Sequence, residues 1–294
     1  MNNTKIISSY AFYGGVIYIQ DFSVLYFNDC EISESQTSGT LIDMDNSYFS
    51  MKNNTISKAY NNLFLVTSST ILIDGIIISN HRCNTRIQGC LLTAQSDSNL
   101  QISNATIFNI NSVISNNIYL ESSNAFLNQI FFNNTMNEQK GGGCLGSKES
   151  KIDINGSSFH NYFGNCLNIQ SSMIVLNNSI FNSNKYNFGN IVFELGAFYC
   201  LDCQSYVIEN SIFSLNQKVM RGPAIQCINI YKKDENASIS KILRSFFREN
   251  EGIELGGAIY LHNQQVEVEK CNFKKNSANE GGGIYCSIDG KLIK

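Results

Sequence analysis

The chain has little proline, no tryptophan and few charged residues. Its 294 residues include one Pro and no Trp, 15% are charged, and the net charge is −3. The near-absence of Pro and the lack of a three-residue glycine period exclude a collagen-like chain. Because 43% of the residues are hydrophobic, burial can offset the ordering entropy, which excludes intrinsic disorder. A pI near 5.7 argues against a strongly basic nucleic-acid-binding protein.

Long apolar runs are also absent. No stretch reaches the roughly 18 apolar residues of a transmembrane helix, so no transmembrane segment is predicted within the chain. The most apolar window, residues 71–78, contains Asp74 and Gly75 and is predicted to be a pair of buried strands. Residues 1–20 lack the basic and apolar regions of a secretory signal. Since the chain stops at Lys294 in the middle of a repeat, we expect it to be a segment of a longer protein.

Asparagine, isoleucine and serine are abundant, with 40, 37 and 35 copies. Ile, with 19 Phe and 14 Tyr, favours strands, because branched and aromatic side chains pack well on a pleated surface. Asn and Ser favour turns, because their side chains bond to the local backbone and Asn tolerates left-handed dihedral angles. This composition is typical of many short strands joined by tight corners.

An internal repeat of 22 to 34 residues runs along the chain. Its clearest copy starts with Gly-Gly-Ala-Ile-Tyr at residues 256–260 and ends with an aromatic-x-x-Asn motif from Phe273 to Asn276. Equivalents of Phe273, here termed the landmark residues, recur upstream. The ten landmark residues are Ile32, Ile56, Ile78, Ile107, Phe132, Phe159, Phe181, Phe213, Phe247 and Phe273.

Each repeat contains two or three short predicted strands and no helix, so it cannot bury its apolar side alone. Parallel stacking would pair every strand with its equivalent about 4.8 Å away and close a continuous core. Gly and Asn supply the positive φ of sharp corners. We predict an all-β fold, a single-stranded right-handed parallel β-helix of about ten coils, with residues 1–294 as one domain. A leucine-rich horseshoe, a propeller and a β-sandwich are alternatives that fit the repeat less well.

The stretches at residues 256–260, 273–276 and 281–285 resemble the GGAI and FxxN repeats of polymorphic outer membrane proteins. They are similar, more loosely, to the pectin-lyase-like superfamily of β-helices, which includes large surface proteins of ciliates. The resemblance covers about residues 250–290 well and the other repeats more weakly. It implies a β-helix with a cell-surface or adhesive role, and it carries over no catalytic residue.

No catalytic constellation stands out. Hydrolases related to this fold use closely grouped carboxylates, and no Asp-Asp pair occurs in this chain. Residues 86–88 (Arg-Ile-Gln) keep only a fragment of the hydrolase Arg-Ile-Lys signature. The isolated acids are interpreted as solvated turn residues on different coils: Asp43, Asp45, Asp74 and Asp153.

Histidine and cysteine give no clear metal site. The three histidines, His81, His160 and His262, have no acid or second His at ligand spacing, so each is predicted to be a surface or corner imidazole. Cys200 and Cys203 form a lone Cys-x-x-Cys without the second half of a zinc site. A local disulfide or two packed thiols is favoured there, and we predict no metal and no cofactor.

The ten cysteines leave two interpretations open. An even count fits a disulfide-bearing extracellular protein. Free Cys is also a small apolar residue, and stacked coils would place it above its equivalent. Cys144 and Cys166 occupy the same position in consecutive repeats and are the best pair for a bridge or a ladder. We prefer the extracellular interpretation.

The sequence therefore predicts a non-catalytic scaffold or adhesion segment of a larger cell-surface or membrane-anchored protein, anchored through a flank outside this chain. A carbohydrate or another protein is the expected partner, and nucleic acid is not. Residues 185–205 and 217–240 lie in the longest repeats, where projecting loops would carry a binding surface. The alternatives are a diverged polysaccharide lyase or glycoside hydrolase, or a degenerate fragment without an independent function.

Overall fold

A computed structural model of the chain describes residues 1–11, 16–83, 89–112, 115–137, 143–162, 165–183, 196–230, 239–287 and 291–293. None of these residues is helical, and the described part of the chain accordingly holds no helix that could span a bilayer. The fold is a parallel β-solenoid of about nine turns, close to the ten coils predicted. It divides into two compact units, Met1–Lys151 and Ile152–Lys294.

The first unit carries the longer strands of the fold. Its strands are β1 (Lys5–Ile7), β2 (Tyr10–Ala11), β3 (Ile17–Ile19), β4 (Val24–Asn28), β5 (Glu31–Ser33), β6 (Gln36–Asp45), β7 (Tyr48–Ser57), β8 (Tyr60–Thr67), β9 (Thr70–Cys83), β10 (Gly89–Gln95), β11 (Asn99–Ser112), β12 (Asn116–Glu121), β13 (Asn124–Asn137) and β14 (Gly143–Lys148).

The second unit is built from shorter strands. They are β15 (Lys151–Asn155), β16 (Ser158–His160), β17 (Asn165–Gln170), β18 (Met173–Asn177), β19 (Ile180–Asn182), β20 (Phe198–Leu201), β21 (Ser205–Glu209), β22 (Ile212–Ser214), β23 (Gln217–Arg221), β24 (Ile225–Ile228), β25 (Ser240–Leu243), β26 (Phe246–Arg248), β27 (Glu251–Leu255), β28 (Ile259–His262), β29 (Gln265–Glu269), β30 (Asn272–Lys274), β31 (Ile284–Ser287) and β32 (Lys291–Ile293).

The landmark residues of the first unit form one buried row. Strands β5, β7, β9, β11 and β13 pair in parallel, each with its equivalent one coil later. The landmark residues partnered along this ladder are Ile32, Ile56, Ile78, Ile107 and Phe132. All of them are at most 4% exposed. The residues that the sequence repeat aligns are therefore the same residues that the hydrogen-bonded strands pair in the core.

The landmark residues of the second unit form a stack of aromatic rings. Parallel pairing places Phe159, Phe181, Phe213, Phe247 and Phe273 in consecutive coils. The centroids of neighbouring rings are 4.6 to 5.3 Å apart, and the ring planes are tilted by only 4 to 13°. Since strands in a ladder are spaced about 4.8 Å apart, the strand register itself holds the rings in contact.

A ladder of buried amides accounts for the Asn of the aromatic-x-x-Asn motif. The Asn250 side chain is fully buried, and its Nδ2 donates to the Phe213 carbonyl at 3.0 Å and to Asn276 Oδ1 at 2.9 Å. Asn216 Nδ2 in turn donates to Asn250 Oδ1 at 2.9 Å. These bonds satisfy a backbone carbonyl at the corner and join three coils, which an apolar side chain could not do.

At another corner, buried serine hydroxyls form the hydrogen bonds that satisfy backbone groups and join neighbouring coils. Asn178 and Asn210, both at φ 49°, each precede a buried serine, Ser179 and Ser211. The Ser179 amide donates to Ser211 Oγ at 3.2 Å, and the Ser211 amide donates to Ser245 Oγ, also at 3.2 Å. Each of these hydroxyls donates to the carbonyl two residues earlier at 2.8 Å. The abundance of Asn and Ser thus reflects a repeated corner, with Asn at the positive φ and Ser facing inward.

The apolar window at residues 71–78 differs from its prediction as a strand pair. It lies within a single strand, β9, which bends at Gly75, where φ is +69°. A Cβ at Gly75 would come within 2.8 Å of Asn53 Oδ1, so both the conformation and the close packing favour glycine. The strand continues through the bend because β7 and β11 pair with it on both sides of Gly75.

The aromatic stack predicts a large difference between two adjacent phenylalanines. Phe247 is fully buried, whereas Phe246 is 52% exposed. Phe247→Ala should lower the free energy of unfolding by about 3–5 kcal/mol, because it leaves a cavity between two rings. Phe246→Ala, the matched control, should change it by less than about 1 kcal/mol. Urea denaturation of both variants measures the difference, and similar losses would contradict a stabilising stack.

Candidate functional site

A row of stacked bends runs along the outside of the first unit. Strands β7, β9, β11 and β13 each bend at a residue of positive φ in an equivalent position, and these four bend residues are Asn53, Gly75, Asn104 and Gln129. The ladder is in register on both sides of the bends. The same outward-facing position of each strand is therefore repeated at the strand spacing of about 4.8 Å.

Two columns of outward-facing side chains lie immediately before these bends. The first column is Tyr26, Ser50, Leu72, Gln101 and Phe126. The second column is Asn28, Lys52, Asp74, Ser103 and Asn128. Five rungs at the strand spacing extend over about 19 Å.

The middle of the two columns, together with Asn104, lines an open groove of about 460 Å³, here termed the polar groove. Lys52 and Asp74 are register partners, so opposite charges lie on adjacent rungs. Asn104 Nδ2 donates to Asp74 Oδ1 at 2.7 Å, which holds that carboxylate at the bend. The other polar groups of the two columns are uncharged hydroxyls and amides, which can both donate and accept hydrogen bonds.

Exposed aromatic rings lie at both ends of the first column. Tyr26 is 56% exposed and Phe126 is 40% exposed. Both rings belong to the same outward-facing column as Gln101, at its first and last rungs. An aromatic ring on an open surface offers a flat apolar face beside polar groups. The two columns therefore combine hydrogen-bonding groups with apolar platforms.

A second cluster of chemically reactive side chains is buried in the same unit. His81 and Cys83 are two residues apart on β9 and therefore point to the same, inward side of the strand. Cys90 on β10 forms a disulfide with Cys83. The His81 Nε2 atom lies 3.3 Å from Cys83 Sγ. The ligand atoms of the three side chains all lie within 4.8 Å of one another, and each residue is at most 1% exposed.

Burial controls the charge of this histidine. Loss of hydration lowers the pKa of His81 to about 4, while the carbonyl groups of Ala59, Asn61 and Cys90 oppose this shift more weakly. The imidazole is therefore neutral at pH 7. Its Nδ1 has no hydrogen-bond partner among the described residues, so the polar surroundings of the ring are these carbonyl groups and the sulfur of Cys83.

The prediction that His81 is a surface or corner imidazole is wrong. Its neighbours on β9 alternate between the core and the solvent, and His81 falls on the core side. The other two histidines are partly exposed and lie at strand ends: His160 at the end of β16, and His262 at the end of β28. Partial burial lowers the pKa of His160, and His262 Nδ1 lies 2.7 Å from Ser287 Oγ.

The cysteines named from the sequence are distributed differently. Cys200 and Cys203 form a disulfide. Cys144 and Cys166 are both buried free thiols, so the bridge considered for them is not formed.

The Cys83–Cys90 disulfide was not predicted from the sequence. These two cysteines lie on neighbouring strands of one repeat, whereas the predicted pair occupied equivalent positions of different repeats. The His-x-Cys spacing on a predicted strand was the available signal, since it places both side chains on one face.

The isolated acids are not turn residues, which corrects that interpretation. Asp43 and Asp45 lie on β6, Asp74 on β9 and Asp153 on β15. Asp43 and Asp45 are two residues apart and share one face of their strand. Burial raises the pKa of Asp43, and the charge of Asp45 adds to this shift. Within the described ranges, carboxylates do not assemble into a group of three that could hold a metal ion.

Several positions considered in the sequence lie outside the described residues. These are the Arg-Ile-Gln stretch at residues 86–88 and parts of the two predicted loop regions, residues 185–195 and 231–238. The described parts of those regions include strands β20, β23 and β24.

Comparison with known proteins does not add a functional assignment, since no family model, no curated protein and no solved structure matches the chain.

The lowered pKa of His81 predicts a pH-dependent stability. Between pH 6.5 and about 4 the unfolded chain binds a proton at this position that the folded chain does not. The contribution of the neutral His81 to the free energy of unfolding is therefore fully present above pH 6.5 and falls as the pH approaches 4. Between pH 7 and pH 4 the wild type should lose about 3 kcal/mol more than His81→Gln. Urea denaturation of both proteins at each pH tests this, and parallel pH profiles would contradict a buried neutral imidazole.

Proposed function

We propose that the chain is a non-catalytic β-solenoid scaffold of a larger cell-surface protein, and that the polar groove makes it an adhesion segment for a neutral polysaccharide. The observation that carries the proposal is the pair of in-register columns along the groove. A polysaccharide presents a repeated set of hydroxyl groups, and the solenoid presents a repeated set of hydroxyls and amides on a rigid backbone.

The composition of the groove supports an uncharged ligand. Lys52 and Asp74 compensate each other on adjacent rungs, so the groove offers no excess of one charge to an ionic ligand. Gln101 is exposed and Ser103 is partly exposed, so both can exchange water for sugar hydroxyls. The rings of Tyr26 and Phe126 provide apolar faces against which the C–H side of a sugar can pack.

The disulfides support an oxidising location. The structure contains two, Cys83–Cys90 and Cys200–Cys203, and disulfides persist mainly outside the cytosol. A solenoid also suits a spacer, because each coil adds a fixed rise through the same backbone ladder. These points favour a surface-exposed protein.

A pair of tyrosine substitutions on β11 tests the groove. Ser103 lies in the groove, whereas Thr106 faces outward on the other side of the bend and is not part of the groove lining. Ser103→Tyr should fill the groove and weaken binding at least about tenfold, a loss of about 1.4 kcal/mol. Thr106→Tyr should bind like the wild type. The assay is retention of purified protein on insoluble glucan, mannan and chitin, with polygalacturonate as the acidic comparison.

Retention on a neutral polymer that only Ser103→Tyr abolishes would support the proposal. Absence of retention on all polymers, or equal loss in both variants, would refute the adhesion role. The release of new reducing ends or unsaturated products in the same incubations would favour the lyase or hydrolase alternative. Labelling of the tagged full-length gene product on intact and permeabilised cells of the source organism tests the surface location independently.

A further inference from the structure

We propose that His81, Cys83 and Cys90 form a redox-gated site for a thiophilic d¹⁰ metal ion, Zn²⁺ or Cu⁺. The site is closed while Cys83 and Cys90 are joined as a disulfide and becomes a three-ligand site when that disulfide is reduced. This inference is independent of polysaccharide binding, because the cluster is inside the solenoid and the polar groove is outside.

The ligand set is the first argument. Thiolate and imidazole are the ligands that Zn²⁺ and Cu⁺ prefer in proteins. His81 Nε2 is 3.3 Å from Cys83 Sγ, and all three ligand atoms lie within 4.8 Å of one another. Ligands at metal–ligand distances of about 2.0–2.3 Å are separated from one another by roughly 3.5 Å. Once the sulfurs are no longer bonded, they must separate to about this distance for the three ligands to enclose an ion.

The state of the imidazole is the second argument. His81 is only 1% exposed, and its Nδ1 has no hydrogen-bond partner among the described residues. Its Nε2 faces a disulfide sulfur, which is a weak acceptor. A buried polar ring with such poor partners costs stability, and a bound metal ion would give Nε2 a stronger partner than the disulfide sulfur.

The surroundings of the cluster are the third argument. Ile110 and Ser112 of β11 pair with His81 and Cys83 from the next coil, and both are buried. The Asn61 and Cys90 carbonyl oxygens lie 3.5 and 3.2 Å from Cys83 Sγ. In this enclosed setting, Zn²⁺ with two thiolates and a neutral imidazole has no net charge, which lowers the cost of burial. The three protein ligands alone suit Cu⁺, which accepts threefold coordination.

Opening the site requires an external dithiol that reduces the disulfide. Two electrons and two protons from a dithiol convert the Cys83–Cys90 disulfide into two thiols, and the dithiol becomes a disulfide. Metal binding then displaces both thiol protons to solvent, forms two metal–sulfur bonds and adds the bond to His81 Nε2. A disulfide oxidant reverses the sequence: the two thiolates give up two electrons and form the Cys83–Cys90 bond, the oxidant takes up those electrons with two protons and becomes a dithiol, and the ion is released.

The test measures metal binding by the full chain before and after reduction. Protein is reduced, freed of reductant under anaerobic conditions, and dialysed against Zn²⁺ or Cu⁺ with a competing chelator; a parallel sample is refolded in the presence of the ion. We expect one tightly bound ion per reduced chain and none at this site in the oxidised chain. His81→Gln, Cys83→Ser and Cys90→Ser should each weaken binding at least about tenfold.

The chain offers a matched control in its other disulfide. The double variant Cys200→Ser/Cys203→Ser removes two thiols that have no histidine in their cluster, and it should retain the bound ion. Binding of either ion supports the proposal. If both ions bind, their relative affinities identify the preferred metal. Equal binding by the wild type and Cys83→Ser, or by the wild type and His81→Gln, would overturn it.

A second measurement needs no variant and so does not depend on how the variants fold. Reduced wild-type protein is alkylated with iodoacetamide with and without the ion, and each cysteine is quantified by mass spectrometry. The ion should slow alkylation of Cys83 and Cys90 at least about tenfold relative to Cys200 and Cys203, because a metal-bound thiolate is a weaker nucleophile. Equal protection of the two pairs would show non-specific binding and refute the site.

Discussion

Parallel, in-register stacking of equivalent strands is the constraint on which the structure depends. Each coil must place its backbone within hydrogen-bonding distance of the previous coil, so a side chain meets its own equivalent about 4.8 Å away. Like therefore packs on like: Phe213 lies between the rings of Phe181 and Phe247, and Asn250 lies between two other amides. Residues that interact well with a copy of themselves suit such positions, which helps to explain the narrow composition.

This constraint made the inward-facing positions predictable from the sequence. A landmark residue such as Phe247 repeats because its ring must stack on the ring below, and Asn250 repeats because its amide must bond to the amide below. The spacing of these residues was enough to predict parallel stacking without a helix. The bend within β9 was not predictable in this way, because a strand that turns at Gly75 and continues has the same apolar pattern as two strands.

The candidate sites were harder to predict from the sequence than the core, for a physical reason. Outward-facing positions have no self-stacking requirement, so a column such as Lys52, Asp74 and Ser103 shows no shared residue type. Such a column becomes visible only when the register is known. The buried cluster posed a different problem, since Cys83 and Cys90 lie on successive strands, β9 and β10, and not at equivalent positions of the repeat. Only the His-x-Cys spacing on β9 was local enough to be seen.

The two candidate sites share a strand, and this links the outside of the first unit to its core. Asp74 faces the polar groove and His81 faces the interior, both on β9. Parallel pairing with β11 holds β9 from Thr70 to Cys83, so the strand is aligned on both sides of Gly75. The disulfide joins the end of β9 to β10. Because a close-packed interior resists changes in volume, the buried, disulfide-bonded end of β9 limits how far the strand that carries Asp74 can shift.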